Sequence, residues 1–129
     1  MKRVFVDTSA WIAYVKRDDP DHEAVCGAVR RWEGRLLTSN FVFDETVTFL
    51  RARMGHAVAQ RVGEAMRSMG LVRISGEDEE DAWAWFKQHR DKGYSYTDCT
   101  SFALMRRLRV AAALTTDRHF RQSGFLTEP

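Results

Sequence analysis

Two hydrophobic periods alternate along this chain. Short β-branched or aromatic runs at residues 3–6, 35–38, 71–74 and 110–115 read as strands, with a last strand near Phe125. Between them the apolar spacing turns helical: Trp11, Ile12 and Val15 lie within residues 8–16, and Ala24, Val25, Ala28 and Trp32 follow a break at Asp18, Asp19 and Pro20 and run up to Gly34. Ser39 or Asn40 can cap a helix carrying Val42, Phe43, Phe49 and Leu50, and residues 56–69 form another amphipathic segment with Gly70 as its stop. The acidic cluster of residues 77–81 opens a helix with Trp83 and Phe86, residues 87–96 read as a basic loop, and residues 97–108 as a further helix. Strands separated by helices imply an α/β fold with a mainly parallel sheet, whose ligand crevice lies at the carboxyl ends of the strands. The 129 residues suffice for one core, so residues 1–129 are read as a single domain without repeats or linkers.

That geometry draws attention to the carboxylates. Asp7 and Asp117 each follow a strand, which sets both at one sheet edge, although each by itself is explained as a helix N-cap. Glu45 has Phe41, Val42, Thr48 and Phe49 at helical spacing, so the pattern puts it on a core-facing stripe, whereas Asp44 turns away to solvent. A carboxylate on such a stripe is costly unless paired or coordinated; the alternative is a boundary glutamate whose stem reaches solvent. Asp98 stands in a first helical turn three residues after Ser95, and capping alone accounts for it. Counted together, the four acids can converge on one pocket, where all-oxygen ligands suit Mg²⁺ or Mn²⁺ better than Zn²⁺.

Other groups carry less. Residues 77–81 are explained by dipole compensation and solvation. His22, His56, His89 and His119 show no ligand spacing and receive no metal role. The four tryptophans read as core or interface residues rather than a base-stacking platform. Twenty basic against 18 acidic residues leave a net charge of +2, which excludes a purely electrostatic nucleic-acid binder. The basic set near Asp98, with Lys87, Arg90, Lys92 and Arg106 foremost, is a candidate phosphate-binding rim and otherwise an ordinary solvated face. Cys26 and Cys99 form no metal or disulfide pattern, and no apolar run has membrane-span length, so a reduced cytoplasmic protein is expected.

Four segments, VFVDTSAWIA, TSNFVFDETVTFL, YSYTDCTSFALM and LTTDRHF, resemble the successive acidic motifs of PIN-domain proteins, and of VapC-type toxins in particular. They span residues 3 to about 120. The resemblance implies a sheet of about five parallel strands with helices on both faces, and active-site acids at Asp7, Glu45, Asp98 and Asp117. It further implies hydroxyl helpers at Thr8, Ser9 and Thr115, cleavage of RNA, frequent homodimerisation and inhibition by a VapB-like antitoxin. Cys99 departs from the small residue often found at its position.

The implied chemistry is Mg²⁺- or Mn²⁺-assisted hydrolysis, in which carboxylate-held metal activates water against a phosphodiester. Asp7, Asp98 and Asp117 are the expected direct or water-mediated ligands, with Glu45 a ligand or the group orienting water. The alternatives are a PIN-domain RNA-processing nuclease without an antitoxin, a non-catalytic PIN scaffold, and another α/β phosphohydrolase. The last is disfavoured because Ser9 stands where a DxDxT phosphatase needs its second acid.

Overall fold

The structure, a computed structural model, describes residues 2–129. Its elements run β1 (Val4–Val6), α1 (Thr8–Val15), α2 (His22–Arg31), β2 (Leu36–Ser39), α3 (Asn40–Met54), α4 (His56–Ser68), β3 (Leu71–Val72), α5 (Gly76–Gln88), α6 (Tyr96–Leu108), β4 (Ala112–Leu114), α7 (His119–Gln122) and β5 (Leu126–Glu128). The strands form one sheet in the order β3-β2-β1-β4-β5, and each neighbouring pair is parallel. This is the α/β architecture expected from the alternating periods. β1, β3 and β4 are shorter than the apolar runs that announced them, β2 is shifted by one residue, and the turn after β4 closes into the short helix α7.

The centre of the sheet is the most apolar part of it. Val4, Phe5 and Val6 are all buried, as a strand covered on both faces requires, and each such side chain contributes about 1.5–3 kcal/mol. Phe102 of α6 and Phe120 of α7 meet edge to face at 5.0 Å, and Phe120 also stacks near Phe5 at 6.3 Å, so the core runs from β1 to the helices after Asp98 and Asp117. On the other side, α3 and α4 approach closely at Gly63, where an added Cβ would stand 3.3 Å from the Val47 side chain.

Chain order runs outward from β1 through β2 to β3, then crosses to β4 on the opposite side of β1. The order of connection therefore reverses between β1 and β4, the place where parallel sheets open a crevice at their carboxyl ends. Asp7 follows β1 and Asp117 follows β4. The Asp7 backbone N–H donates to the Leu114 carbonyl at 3.0 Å, locking the two strand ends together.

Candidate active site

Asp7 occupies the N-cap position of α1, but its side chain makes no capping bond. The carboxylate turns across the strand ends, where Ser9 Oγ and Thr115 Oγ1 donate to Oδ2 at 2.8 and 3.1 Å. Each hydroxyl is itself held by a main-chain donor: Thr116 N–H reaches Ser9 Oγ at 3.0 Å, and Asp117 N–H reaches Thr115 Oγ1 at 2.9 Å. Two backbone amides thus feed two hydroxyls that feed one carboxylate. Thr8, the third expected hydroxyl, does not join; its Oγ1 is buried without a hydrogen-bond partner among the described residues.

Asp98 arrives from α6 and does two jobs at once. Its Oδ2 accepts from Ser95 N–H at 3.1 Å while Ser95 Oγ accepts from Asp98 N–H at 2.9 Å, a complete capping box. The same Oδ2 stands 3.0 Å from His119 Nδ1. Asp117 also has a local use, since its Oδ1 accepts from His119 N–H at 2.9 Å. The Nδ1 atom lies 3.2 Å from Asp117 Oδ1. One ligand atom from each of Asp98, Asp117 and His119 falls within 4.8 Å of the others.

Crowding sets the electrostatics. Burial foremost, with the Asp98 charge adding to it, pushes the Asp7 carboxyl up to about 7 against the hydrogen bonds of Ser9 and Thr115. Burial and the neighbouring Asp117 charge likewise raise Asp98 above the ordinary carboxylate range, opposed by Ser95 and His119. Carboxylates that disfavour one another's ionisation form a pocket in which a cation is the natural counter-charge.

The remaining expectations meet the structure unevenly. Glu45 is exposed on α3 beside exposed Asp44, so it is not on a core-facing stripe. The reason is that its neighbours are only partly apolar in space: Thr48 is exposed, Phe41 and Phe49 are half-buried, and only Val42 is fully covered. His119, which spacing excluded from a metal role, lies inside the cluster. Its signal was faint, two residues after an acid at a strand end, and only the packing of α6 against α7 gives it meaning.

Lys87, Arg90 and Lys92 are exposed at the α5–α6 connection, just before Asp98. Arg106 stands apart from these three: its guanidinium lies 4.4 Å over the Trp85 ring, and its backbone stands about 12 Å along α6 from Asp98. Arg118 and Arg121, which sequence reasoning passed over, line a recess of about 240 Å³ next to Asp117 and Thr116. Larger recesses, such as one of about 590 Å³ between α3 and α4, hold no converging acids, so size does not mark the site. Among the acidic run, Asp78 is not solvated but buried and bonded to Arg107 through both oxygens, at 2.9 and 2.8 Å. Trp11 is buried, Trp32 donates to Glu128 at 2.9 Å, Trp85 packs on Phe102, and Trp83 is half exposed. Both cysteines are free. No helix among the described residues is long and apolar enough to cross a membrane.

A five-stranded parallel sheet with acids gathered at its carboxyl edge is the PIN-domain arrangement, and the PIN family model matches residues 4–126. The chain belongs to the PIN-domain family and, within it, groups with the VapC-type ribonucleases. It is 37% identical over 129 residues, covering 95% of each chain, to the 23S rRNA-specific endonuclease VapC20 of Mycobacterium tuberculosis. A VapC ribonuclease of Archaeoglobus fulgidus shares 29% identity over 113 residues, 81% of this chain and 71% of that one. The crystal structure of VapC20, described as a Sarcin-Ricin loop cleaving toxin, superposes with a TM-score of 0.91 at 33% identity over 98% of this chain and 99% of that one. The DNA-bound VapBC complex of Salmonella typhimurium matches in fold, with a TM-score of 0.76 at 13% identity over 99% and 98% of the two chains.

Proposed function

We propose that this chain is a Mg²⁺- or Mn²⁺-dependent endoribonuclease, the toxin of a toxin–antitoxin pair, and that its target is a structured loop of ribosomal RNA. The observation that carries this reading is the convergence of Asp7, Asp98 and Asp117 at the β1–β4 edge. Similarity to VapC20 along almost the whole chain supports the substrate class.

The residues fit a hard cation. Carboxylate oxygens dominate the donor set, they are partly desolvated, and they raise one another's proton affinity. Asp7, Asp98 and Asp117 would hold the ion directly or through water, with Glu45, exposed on α3, as a further ligand or as the group orienting water. When bound, such an ion lowers the pKa of water and neutralises charge developing on the phosphate. Ser9 and Thr115 fix the direction of the Asp7 carboxylate, so a ligand is in place before substrate arrives. The Ser95 box does the same for Asp98. Lys87, Arg90 and Lys92 would bind phosphates flanking the scissile bond. A VapB-like antitoxin, a homodimer and action in the cytoplasm complete the proposal.

The direct test incubates the purified protein with ribosomes and maps cleavage of 23S rRNA by primer extension, with Mg²⁺, Mn²⁺, Ca²⁺ or excess EDTA. A single major cut supported by Mg²⁺ or Mn²⁺, poorly by Ca²⁺ and not in EDTA is expected. Undiminished cleavage in EDTA overturns the metal-dependent reading, and metal-dependent cleavage confined to other RNAs overturns the ribosomal target alone.

A further inference from the structure

His119 is placed too carefully for a bystander. Its own N–H is tied to Asp117 Oδ1, the Tyr94 ring meets the imidazole edge to face at 5.4 Å, and Nε2 faces the connection at Gly93. These contacts aim Nδ1 at the two carboxylates, 3.0 Å from Asp98 Oδ2 and 3.2 Å from Asp117 Oδ1. Neighbouring ligand atoms around an octahedral ion held at about 2.1 Å are themselves about 3 Å apart. The spacing therefore suits one edge-sharing set of ligands as well as it suits a hydrogen-bonded imidazole.

Resting on the metal-dependent reading above, we infer that His119 Nδ1 is a nitrogen ligand of the catalytic ion and makes this site prefer Mn²⁺ to Mg²⁺. Mg²⁺ demands oxygen ligands and retains its waters, whereas first-row divalent ions accept imidazole nitrogen. Three carboxylates alone would treat the two ions more evenly. Coordination requires the ring proton to sit on Nε2, toward the Gly93 connection, so that the Nδ1 lone pair faces the acids. A positioning histidine needs the opposite tautomer, with Nδ1–H donating to the carboxylates. The two roles exclude each other at the same atom.

Pulsed electron paramagnetic resonance of Mn²⁺ bound to the protein without RNA separates them. The wild type should show coupling of Mn²⁺ to a ¹⁴N nucleus, and His119→Phe, which keeps an aromatic ring against Tyr94, should lose it. Calorimetric titration should show Mn²⁺ affinity falling at least about tenfold in His119→Phe while Mg²⁺ affinity changes less than about threefold. His119→Gln, measured alongside, guards against a packing defect and should give the same two results. Mn²⁺ bound through oxygen alone in the wild type, or equal losses for both ions, overturns the nitrogen ligand and leaves the metal-dependent nuclease standing. No binding of either ion to the wild type removes both readings.

Discussion

The α5–α6 hairpin carries the same local device at two places and puts it to opposite uses. Ser75 and Asp78 form a capping box at the start of α5, and Ser95 and Asp98 form one at the start of α6. Both aspartates are buried, at 1% and 7% exposure, and both accept a main-chain N–H from their serine. Arg107 grips Asp78 through both oxygens and holds its carboxyl below the ordinary range. Burial and the facing Asp117 push Asp98 above it. A buried acid with a built-in cation is a structural part, whereas one that faces other acids keeps its oxygens free for a cation from outside. What distinguishes them is the residue opposite, never the helix that bears them.

The largest contrast should appear when each acid is made neutral. Asp98→Asn keeps a capping side chain and should lower RNA cleavage by about 10³-fold, with a metal-free fold at least as stable as the wild type. Asp78→Asn should leave cleavage per folded molecule unchanged and lower the unfolding free energy by about 1–3 kcal/mol, a figure held down because Arg107 is 40% exposed. Cleavage rates and urea melts of the two variants measure both, and an active Asp98→Asn would erase the distinction.

The sign of the pH dependence sharpens it. Folded Asp7 keeps its proton up to about pH 7 while the unfolded chain releases it near pH 4, so between these values the folded state binds more protons. Metal-free stability should therefore fall as pH rises through that window. Asp7→Asn should flatten the slope and gain about 1–3 kcal/mol at pH 7.5. Asp78 acts in the other direction: its contribution is present above pH 4 and disappears as pH falls through its lowered value. Thermal melts in EDTA from pH 3 to 8 on wild type, Asp7→Asn and Asp78→Asn check both signs.

The smallest expected effect concerns the basic residues. Neutralising Lys87, Arg90 and Lys92 should reduce the salt dependence of RNA binding by about two in the log–log slope, because each lost phosphate contact releases fewer counterions. Arg106→Ala should leave that slope unchanged and cost about 0.5–1 kcal/mol of stability through its lost contact with Trp85. An equal drop in slope for Arg106 would put the phosphate track along the hairpin rather than at its Asp98 end.

Much of this was legible beforehand. Hydrophobic period separated strands from helices because a buried parallel strand and an amphipathic helix need different spacings, and the strand-terminal positions of Asp7 and Asp117 followed from it. Four acidic motifs in order pointed to the family, since their surroundings as well as their acids matched. Four features were written nowhere locally. Glu45 looked core-facing because period counts neighbours along a helix, whereas exposure depends on what the helix packs against. Asp78 looked solvated because its partner lies 29 residues away on α6, and Arg106 looked like part of the rim because sequence proximity does not say which way a long side chain leans. His119 had no ligand spacing at all; Asp98 lies 21 residues before it, on another helix. Period and motif are properties of neighbours along the chain, and the sequence by itself determined the fold class and the sheet edge at which Asp7 and Asp117 stand. Opposition in space belongs to the packed molecule, because charge and coordination act over a few ångströms regardless of chain separation. The tertiary structure alone therefore decided which acid received an arginine and which was left facing other acids and an imidazole.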